Sequence, residues 1–172
     1  MQNFKLKTVT NIIIAITVFM YVVQISIPNG TIYMGLNIYF IEGSFWWQPL
    51  STMFTHHGIG HLLMNMFVLY QFGNLIEDYK GKATLLLLYF VGGLLTSLLS
   101  FAYMDIFSAY ANLGGASGAI SVLFGYVALV DKYQRKGIFI WIMLISFAPL
   151  LIGLPVAWYA HLIGFALGWI MG

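Results

Sequence analysis

Few side chains in this sequence can do chemistry, because polar residues are scarce within its long apolar segments. A serine hydroxyl that meets a histidine imidazole can act as a nucleophile, with the imidazole as its general base. We therefore interpret Ser117 as the candidate nucleophile and His161 as the candidate base. The ionisable side chains within the apolar segments are His56, His57, His61 and His161, and Asn65 and Ser117 add neutral polar groups at a similar depth.

A metal site is an alternative for the same histidines. His57 and His61 are four residues apart and could bind zinc together with His161. No glutamate adjoins them in a His-Glu-x-x-His pattern, so the serine interpretation is favoured over a zinc hydrolase. Taken alone, His57 is expected at the membrane interface. A small-solute transporter is a further alternative, but the chain has no second, repeat-related half.

The composition decides which elements must position these residues. The chain has 172 residues, of which 61% are hydrophobic and 7% charged, and its mean hydropathy is +0.91. A soluble domain of this length needs far more surface charge, so the chain is expected to be an all-α membrane protein. Residues 1–172 are expected to form a single membrane domain. The chain has no cysteine, which excludes disulfides and thiolate chemistry.

Six apolar segments are close to the roughly 20 residues that a helix needs to cross a bilayer. The fifth and sixth are short, and the first turns of the second are expected near the interface. The segments predict a bundle of six transmembrane helices. They are Val9–Ile27, Leu50–Ile76, Ala83–Tyr103, Gly114–Val130, Ile138–Ile152 and Val156–Met171.

All seven basic residues fall on one side of the membrane in this arrangement. Lys5 and Lys7 precede the first segment, and the others lie in the second–third and fourth–fifth connections. By the positive-inside rule both termini are cytoplasmic, and the candidate site lies in the outer half of the membrane. The first outer loop, residues 28–49, is rich in aromatic residues and is expected to lie in the outer interface.

Small residues indicate which helix faces meet. They recur at helical spacing behind each candidate residue, and small side chains allow close helix packing in membranes. If the two faces pack together, the serine hydroxyl comes within hydrogen-bond reach of the imidazole. The faces are Ser117, Ser121 and Gly125 on the fourth segment, and His161, Gly164 and Gly168 on the sixth.

The residues around Ser117 suggest how a developing negative charge could be stabilised. Gly115 and Gly118 are expected to clear space beside the hydroxyl, and a helix N-terminus offers free N–H groups. The side chains of His61 and Asn65, four apart on one helix face, could assist these N–H groups as an oxyanion hole. The acids lie on the cytoplasmic side or in outer loops, which favours a Ser–His dyad over a triad.

The chain resembles the rhomboid family of intramembrane serine proteases, in its compact six-helix bacterial form. The resemblance covers nearly the whole chain. It implies a six-transmembrane-helix bundle with a membrane-embedded first outer loop, and hydrolysis of peptide bonds in or near transmembrane segments. It rests on His56-x4-His61-x3-Asn65, on Gly115-Ala116-Ser117-Gly118, and on Ala160-His161-x2-Gly164-x3-Gly168.

The resemblance also implies a role for each matching residue. Ser117 would be the nucleophile and His161 the base, while His61, Asn65 and the backbone N–H of Ser117 would form the oxyanion hole. His56 matches a supporting histidine of the outer cavity. The resemblance further implies transmembrane protein substrates, contact with membrane lipids, no nucleic acid, no cofactor or metal, and a bacterial inner-membrane location.

Other expectations concern a rival function and the departures from the family pattern. Non-catalytic rhomboid-like proteins bind transmembrane helices but typically lack the serine or the histidine, and both are present here. Gln48 stands where the family usually has arginine, and Ser121 where some members stack an aromatic ring on the histidine. Glu77 matches a structural carboxylate of the family, although its charge pattern alone indicates a solvated cytoplasmic turn.

Overall fold

The computed structural model describes residues 8–172, so Lys5 and Lys7 lie outside the described residues. A 3-10 turn at Thr52–Phe54 and a π-helical segment at Leu87–Gly92 connect some of the α-helices. The α-helices are α1 (Val9–Ser26), α2 (Gly30–Met34), α3 (Tyr39–Glu42), α4 (Gln48–Ser51), α5 (Ile59–Lys80), α6 (Lys82–Leu86), α7 (Gly93–Ile106), α8 (Ser117–Val130), α9 (Arg135–Leu151) and α10 (Trp158–Ile170).

The expected helical and apolar character is confirmed. Within residues 8–172, three helices are long and apolar enough to cross a membrane, namely Val9–Ser26, Ile59–Lys80 and the continuous stretch Lys82–Ile106. The helices α8 and α10 are shorter but also apolar. Many large apolar side chains on these helices are exposed, including Phe19 and Phe67. An apolar surface of this extent belongs against lipid, so the chain is an integral membrane protein.

The second apolar segment differs from the expected single helix over Leu50–Ile76. It contains α4, the 3-10 turn and an extended stretch before α5 begins at Ile59. The extended backbone of Thr55 and Gly58 ends the helical path. The fourth segment is likewise shorter than expected, since α8 begins at Ser117 and not at Gly114. Both differences leave irregular backbone near the candidate site.

The helix α8 lies at the centre of the bundle. Every residue from Ala119 to Ala128 is buried, as expected for a helix with neighbours on all sides. Its most extensive interface is with α10. A side chain at Gly168 would collide with the Val122 carbonyl of α8, and one at Gly125 would collide with the Phe165 carbonyl of α10. The small residues therefore bring these two backbones into contact, as their spacing predicts.

Glu77 is buried and does not belong to a solvated turn. Its two carboxylate oxygens accept hydrogen bonds from the backbone N–H groups of Val9 and Thr10, at 2.9 and 3.0 Å. The Thr10 hydroxyl donates to the same carboxylate at 3.0 Å. The negative charge thus lies on the free N–H groups at the start of α1, where the helix dipole favours an anion. Glu77 joins the first helix to α5.

The variant Glu77→Gln is expected to destabilise the bundle by about 1.5–3 kcal/mol, because buried hydrogen bonds to a charged acceptor are lost or weakened. Thermal unfolding in detergent micelles measures the effect. Glu42→Gln makes the same change at an exposed carboxylate and should leave the melting temperature unchanged. Equal melting temperatures for both variants would contradict this account of Glu77.

Candidate active site

The structure brings the candidate nucleophile and base together. Ser117 is the first residue of α8, and His161 is the fourth residue of α10. The Ser117 Oγ lies 3.0 Å from Nε2 of His161, which is hydrogen-bond distance. His161 is buried, whereas Ser117 is partly exposed. The hydroxyl can therefore meet a substrate while the packed bundle holds the imidazole.

A second serine contacts the other ring nitrogen of His161. The Oγ of Ser146, on α9, lies 3.3 Å from Nδ1 of His161. Ser146 is fully buried and shares the buried face of α9 with Ile138 and Ile142. The sequence reasoning missed this residue. The available signal was a single serine on an otherwise apolar helix face, which is also typical of helix–helix packing.

The loop before Ser117 is held in place by the segment that precedes α5. The N–H of Gly115 donates to the carbonyl of Thr52 at 3.0 Å, and the N–H of Ala116 donates to Nε2 of His56 at 3.4 Å. Gly115 has φ +142°, a value that other residues rarely adopt, and a side chain there would press on the His61 ring. The irregular backbone of this loop thus fixes the position of Ser117, the first residue of α8.

His56 itself is fixed by the first helix. The side-chain amide of Gln24, buried on α1, donates to the His56 carbonyl at 2.7 Å and accepts from its N–H at 2.8 Å. The His56 Nδ1 lies 3.2 Å from the carbonyl of Phe54. Because Nε2 accepts from Ala116, the proton of a neutral ring is on Nδ1, where it donates to Phe54. This arrangement fits the supporting role that the resemblance implies for His56.

The two residues expected to assist an oxyanion lie close to the same loop. The His61 ring is beside Gly115, and its centroid is 5.1 Å from that of His56. Asn65 is buried one turn further along α5, and its Nδ2 donor has no hydrogen-bond partner among the described residues. A buried amide donor without a partner is costly, so this N–H group is available to donate a hydrogen bond to a ligand.

The remaining glycines of the site act between helices. A side chain at Gly118 would touch Thr96 of α7, and one at Gly164 would collide with the Gly118 carbonyl and approach Ser121. The space at Gly118 is therefore closed by Thr96 and does not lie open beside the hydroxyl as expected. Gly164 holds α10 against α8 one turn below His161.

Gln48 supplies a brace at the position where the family usually has arginine. Its buried side chain accepts from the N–H of Asn37 at 3.2 Å and donates to the carbonyl of Ile32 at 3.0 Å. Leu36 and Leu113 exchange backbone hydrogen bonds of 2.9 and 2.8 Å. The connection over residues 28–49 is thus tied to the loop that leads into the candidate nucleophile.

The described residues offer no ligand set for the zinc alternative. Across residues 8–172, no three His, Asp or Glu side chains are arranged to hold a metal ion. His57 is exposed, as expected at an interface, and its ring stacks on His61 at 6.2 Å between centroids.

The chain is an apolar helical bundle in which a serine and a histidine are hydrogen-bonded at one end. These features are those of a membrane protein with the nucleophile and base of a serine hydrolase. The model of the rhomboid domain family matches residues 43–172, and the chain belongs to this family. The fold and the sequence motifs thus lead to the same class as the comparison.

Several relatives are named rhomboid proteases. GlpG of Haemophilus influenzae is 27% identical over 185 residues, covering 100% of this chain and 94% of that protein. GlpG of Yersinia pestis is 31% identical over 134 residues, covering 73% of this chain and 46% of that protein. GluP of Bacillus subtilis is 36% identical over 91 residues, covering 53% of this chain and 17% of that protein.

The chain therefore spans nearly all of the Haemophilus protein but less than half of the other two relatives. The family match and the names of these relatives support an intramembrane serine protease.

Proposed function

We propose that this chain is a serine endopeptidase that hydrolyses peptide bonds in or near the transmembrane segments of other proteins, by means of a Ser117–His161 dyad. The observation that carries the proposal is the 3.0 Å contact between the Ser117 hydroxyl and Nε2 of His161. It has the geometry that an activated serine and its general base require.

The dyad accounts for both halves of the reaction. The Ser117 Oγ attacks the carbonyl carbon of the substrate, and its proton passes to Nε2 of His161. When the C–N bond breaks, the same nitrogen gives this proton to the leaving amine, and an acyl ester remains on Ser117. Water then attacks the ester and delivers a proton to Nε2, which returns it to the serine as the acid product leaves.

The oxyanion of each tetrahedral intermediate needs donors that are already in position. The backbone N–H of Ser117 is at the start of α8, where no side chain caps the helix. The Asn65 amide is buried without a partner, and the His61 ring lies beside Gly115. We assign the oxyanion hole to these three groups, in agreement with the resemblance.

The lengths of the helices favour a site beneath the membrane surface. The helix α8 has 14 residues and is roughly 21 Å long, about 9 Å shorter than a ~30 Å hydrocarbon core. Lys80, Lys132 and Arg135 line one cavity at the end of the bundle away from Ser117. With this basic end on the cytoplasmic side, both termini are cytoplasmic and the site opens toward the outer side.

This placement suggests a substrate class and a set of membrane contacts. A helical peptide bond is shielded by its own backbone hydrogen bonds, so substrates should unwind at small or helix-breaking residues near the outer face. Within a single domain of six spans, the aromatic first outer loop would rest in the outer leaflet, with Trp46 and Trp47 exposed to it. A bacterial inner membrane fits this arrangement.

Labelling with a serine-reactive fluorophosphonate tests the proposal. Purified protein in detergent micelles should react at one serine, and mass spectrometry should map the modification to Ser117. Heat-denatured protein is the control for general serine reactivity and should not react. Modification at another serine would contradict the dyad. The absence of any modification in folded protein that still cleaves a single-span substrate would also contradict it. Cleavage activity that EDTA abolishes and zinc restores would favour the metal alternative instead.

A further inference from the structure

The imidazole of His161 has a hydroxyl on each side. Nε2 faces Ser117 at 3.0 Å, and Nδ1 faces Ser146 at 3.3 Å. A neutral imidazole carries one proton, so only one ring nitrogen can accept it from Ser117. The identity of the protonated nitrogen therefore decides whether the ring can act as a base.

We infer that Ser146 is a positioning residue that holds His161 in the tautomer and orientation needed for general-base catalysis. The inference rests on the proposed function of the dyad and deepens it. For Nε2 to accept the Ser117 proton, the ring proton must be on Nδ1. The Oγ of Ser146 is placed to accept the hydrogen bond from that N–H.

The surroundings of Ser146 support a directed hydrogen bond. The residue is fully buried, and its only described hydrogen bond is the one with His161. In an apolar interior an unpartnered hydroxyl is costly, so the contact constrains both side chains. By comparison, the buried Ser97 hydroxyl of α7 donates to the Gly93 carbonyl of its own helix at 3.1 Å.

The arrangement assigns to a serine the orienting task that a carboxylate performs in catalytic triads. It also explains how His161 can be oriented without the aromatic ring that some family members have at the position of Ser121. The imidazole is held by the hydrogen bond at Nδ1 instead. Since Ser146 lies on α9, the orientation of the base depends on α9 being packed against α10.

Kinetics of three variants test the inference. Ser146→Ala should lower kcat about tenfold, the size expected for one hydrogen bond, with KM unchanged because the fully buried Ser146 side chain is not accessible to a substrate. Ser146→Thr retains a hydroxyl and should recover most of the lost rate. Ser97→Ala, the matched control, should keep the wild-type kcat. Equal kcat values for Ser146→Ala and Ser97→Ala would overturn the inference.

A spectroscopic measurement separates orientation from a loss of packing. Nitrogen-15 NMR of histidine-labelled protein reports which ring nitrogen carries the proton, and the His161 signals are those missing from His161→Ala. The wild type should show the Nδ1–H tautomer, and Ser146→Ala should show a larger Nε2–H fraction. An unchanged tautomer in Ser146→Ala would contradict the positioning role.

The two readouts distinguish failure of the inference from failure of the proposed function. Wild-type protein that neither cleaves a single-span substrate nor labels at Ser117 would overturn both. Wild-type activity with unaffected Ser146→Ala protein would overturn only the role of Ser146.

Discussion

Ser117→Ala is expected to lose about 10³-fold or more in kcat toward a single-span substrate, because no other hydroxyl contacts Nε2 of His161 in the described part of the chain. His161→Ala should cause a similar loss, and the double variant should be little worse than either. Residues that act as one unit show this strong non-additivity. Cleavage is followed in detergent or liposomes under saturating substrate.

The matched control is Ser121→Ala. Ser121 lies one turn further along α8, is fully buried, and donates to the Ser117 carbonyl at 2.8 Å. Its replacement changes the same atoms in the same helix without touching the imidazole. It should retain activity within a few-fold of the wild type. A fully active Ser117→Ala variant would exclude the proposed nucleophile.

Gly168→Ala is expected to have the second-largest effect. A single methyl at this position would collide with the Val122 carbonyl, so α10 must move away from α8. Overpacking of this kind typically destabilises a protein by about 1–3 kcal/mol. A shift of about 1 Å between the Ser117 and His161 side chains can lower the rate about 10²-fold. Thermal unfolding and cleavage kinetics measure the two effects separately.

Gly137→Ala serves as the control for Gly168→Ala. Gly137 is also helical, on α9, but a side chain there would meet open space. Both substitutions gain the same helix propensity, about 1 kcal/mol, so the difference between them reports the collision alone. If the two variants were equally stable and equally active, the close approach of α8 and α10 would not be what positions the dyad.

The local patterns of the sequence predict much of this architecture. Apolar runs of helical length define the membrane class, because lipid requires that backbone groups be satisfied within each segment. The small residues at helical spacing behind Ser117 and His161 predict the faces of α8 and α10 that meet. Such information is local, since a helix places residues three and four apart on one face.

The partners that orient the site residues come from distant parts of the chain. Ser146, Gln24 and Gln48 are single polar residues in apolar or aromatic surroundings, with no spacing that names their partners. Their contacts span 15, 32 and 11 residues respectively. The hydropathy pattern also did not predict the break in the helix before Ile59. The extended residues there make contacts with α1 and with the loop before Ser117, which hydropathy does not reveal.

The sequence alone therefore determined the membrane class, the rhomboid resemblance and the two helix faces that meet, because composition and helical period are properties of neighbouring residues. Only the tertiary structure decided that Glu77 is buried at the start of α1, that Gln48 braces the connection over residues 28–49, and that a serine on α9 contacts His161. Hydrogen bonds between side chains on different helices depend on where the packed backbones place them.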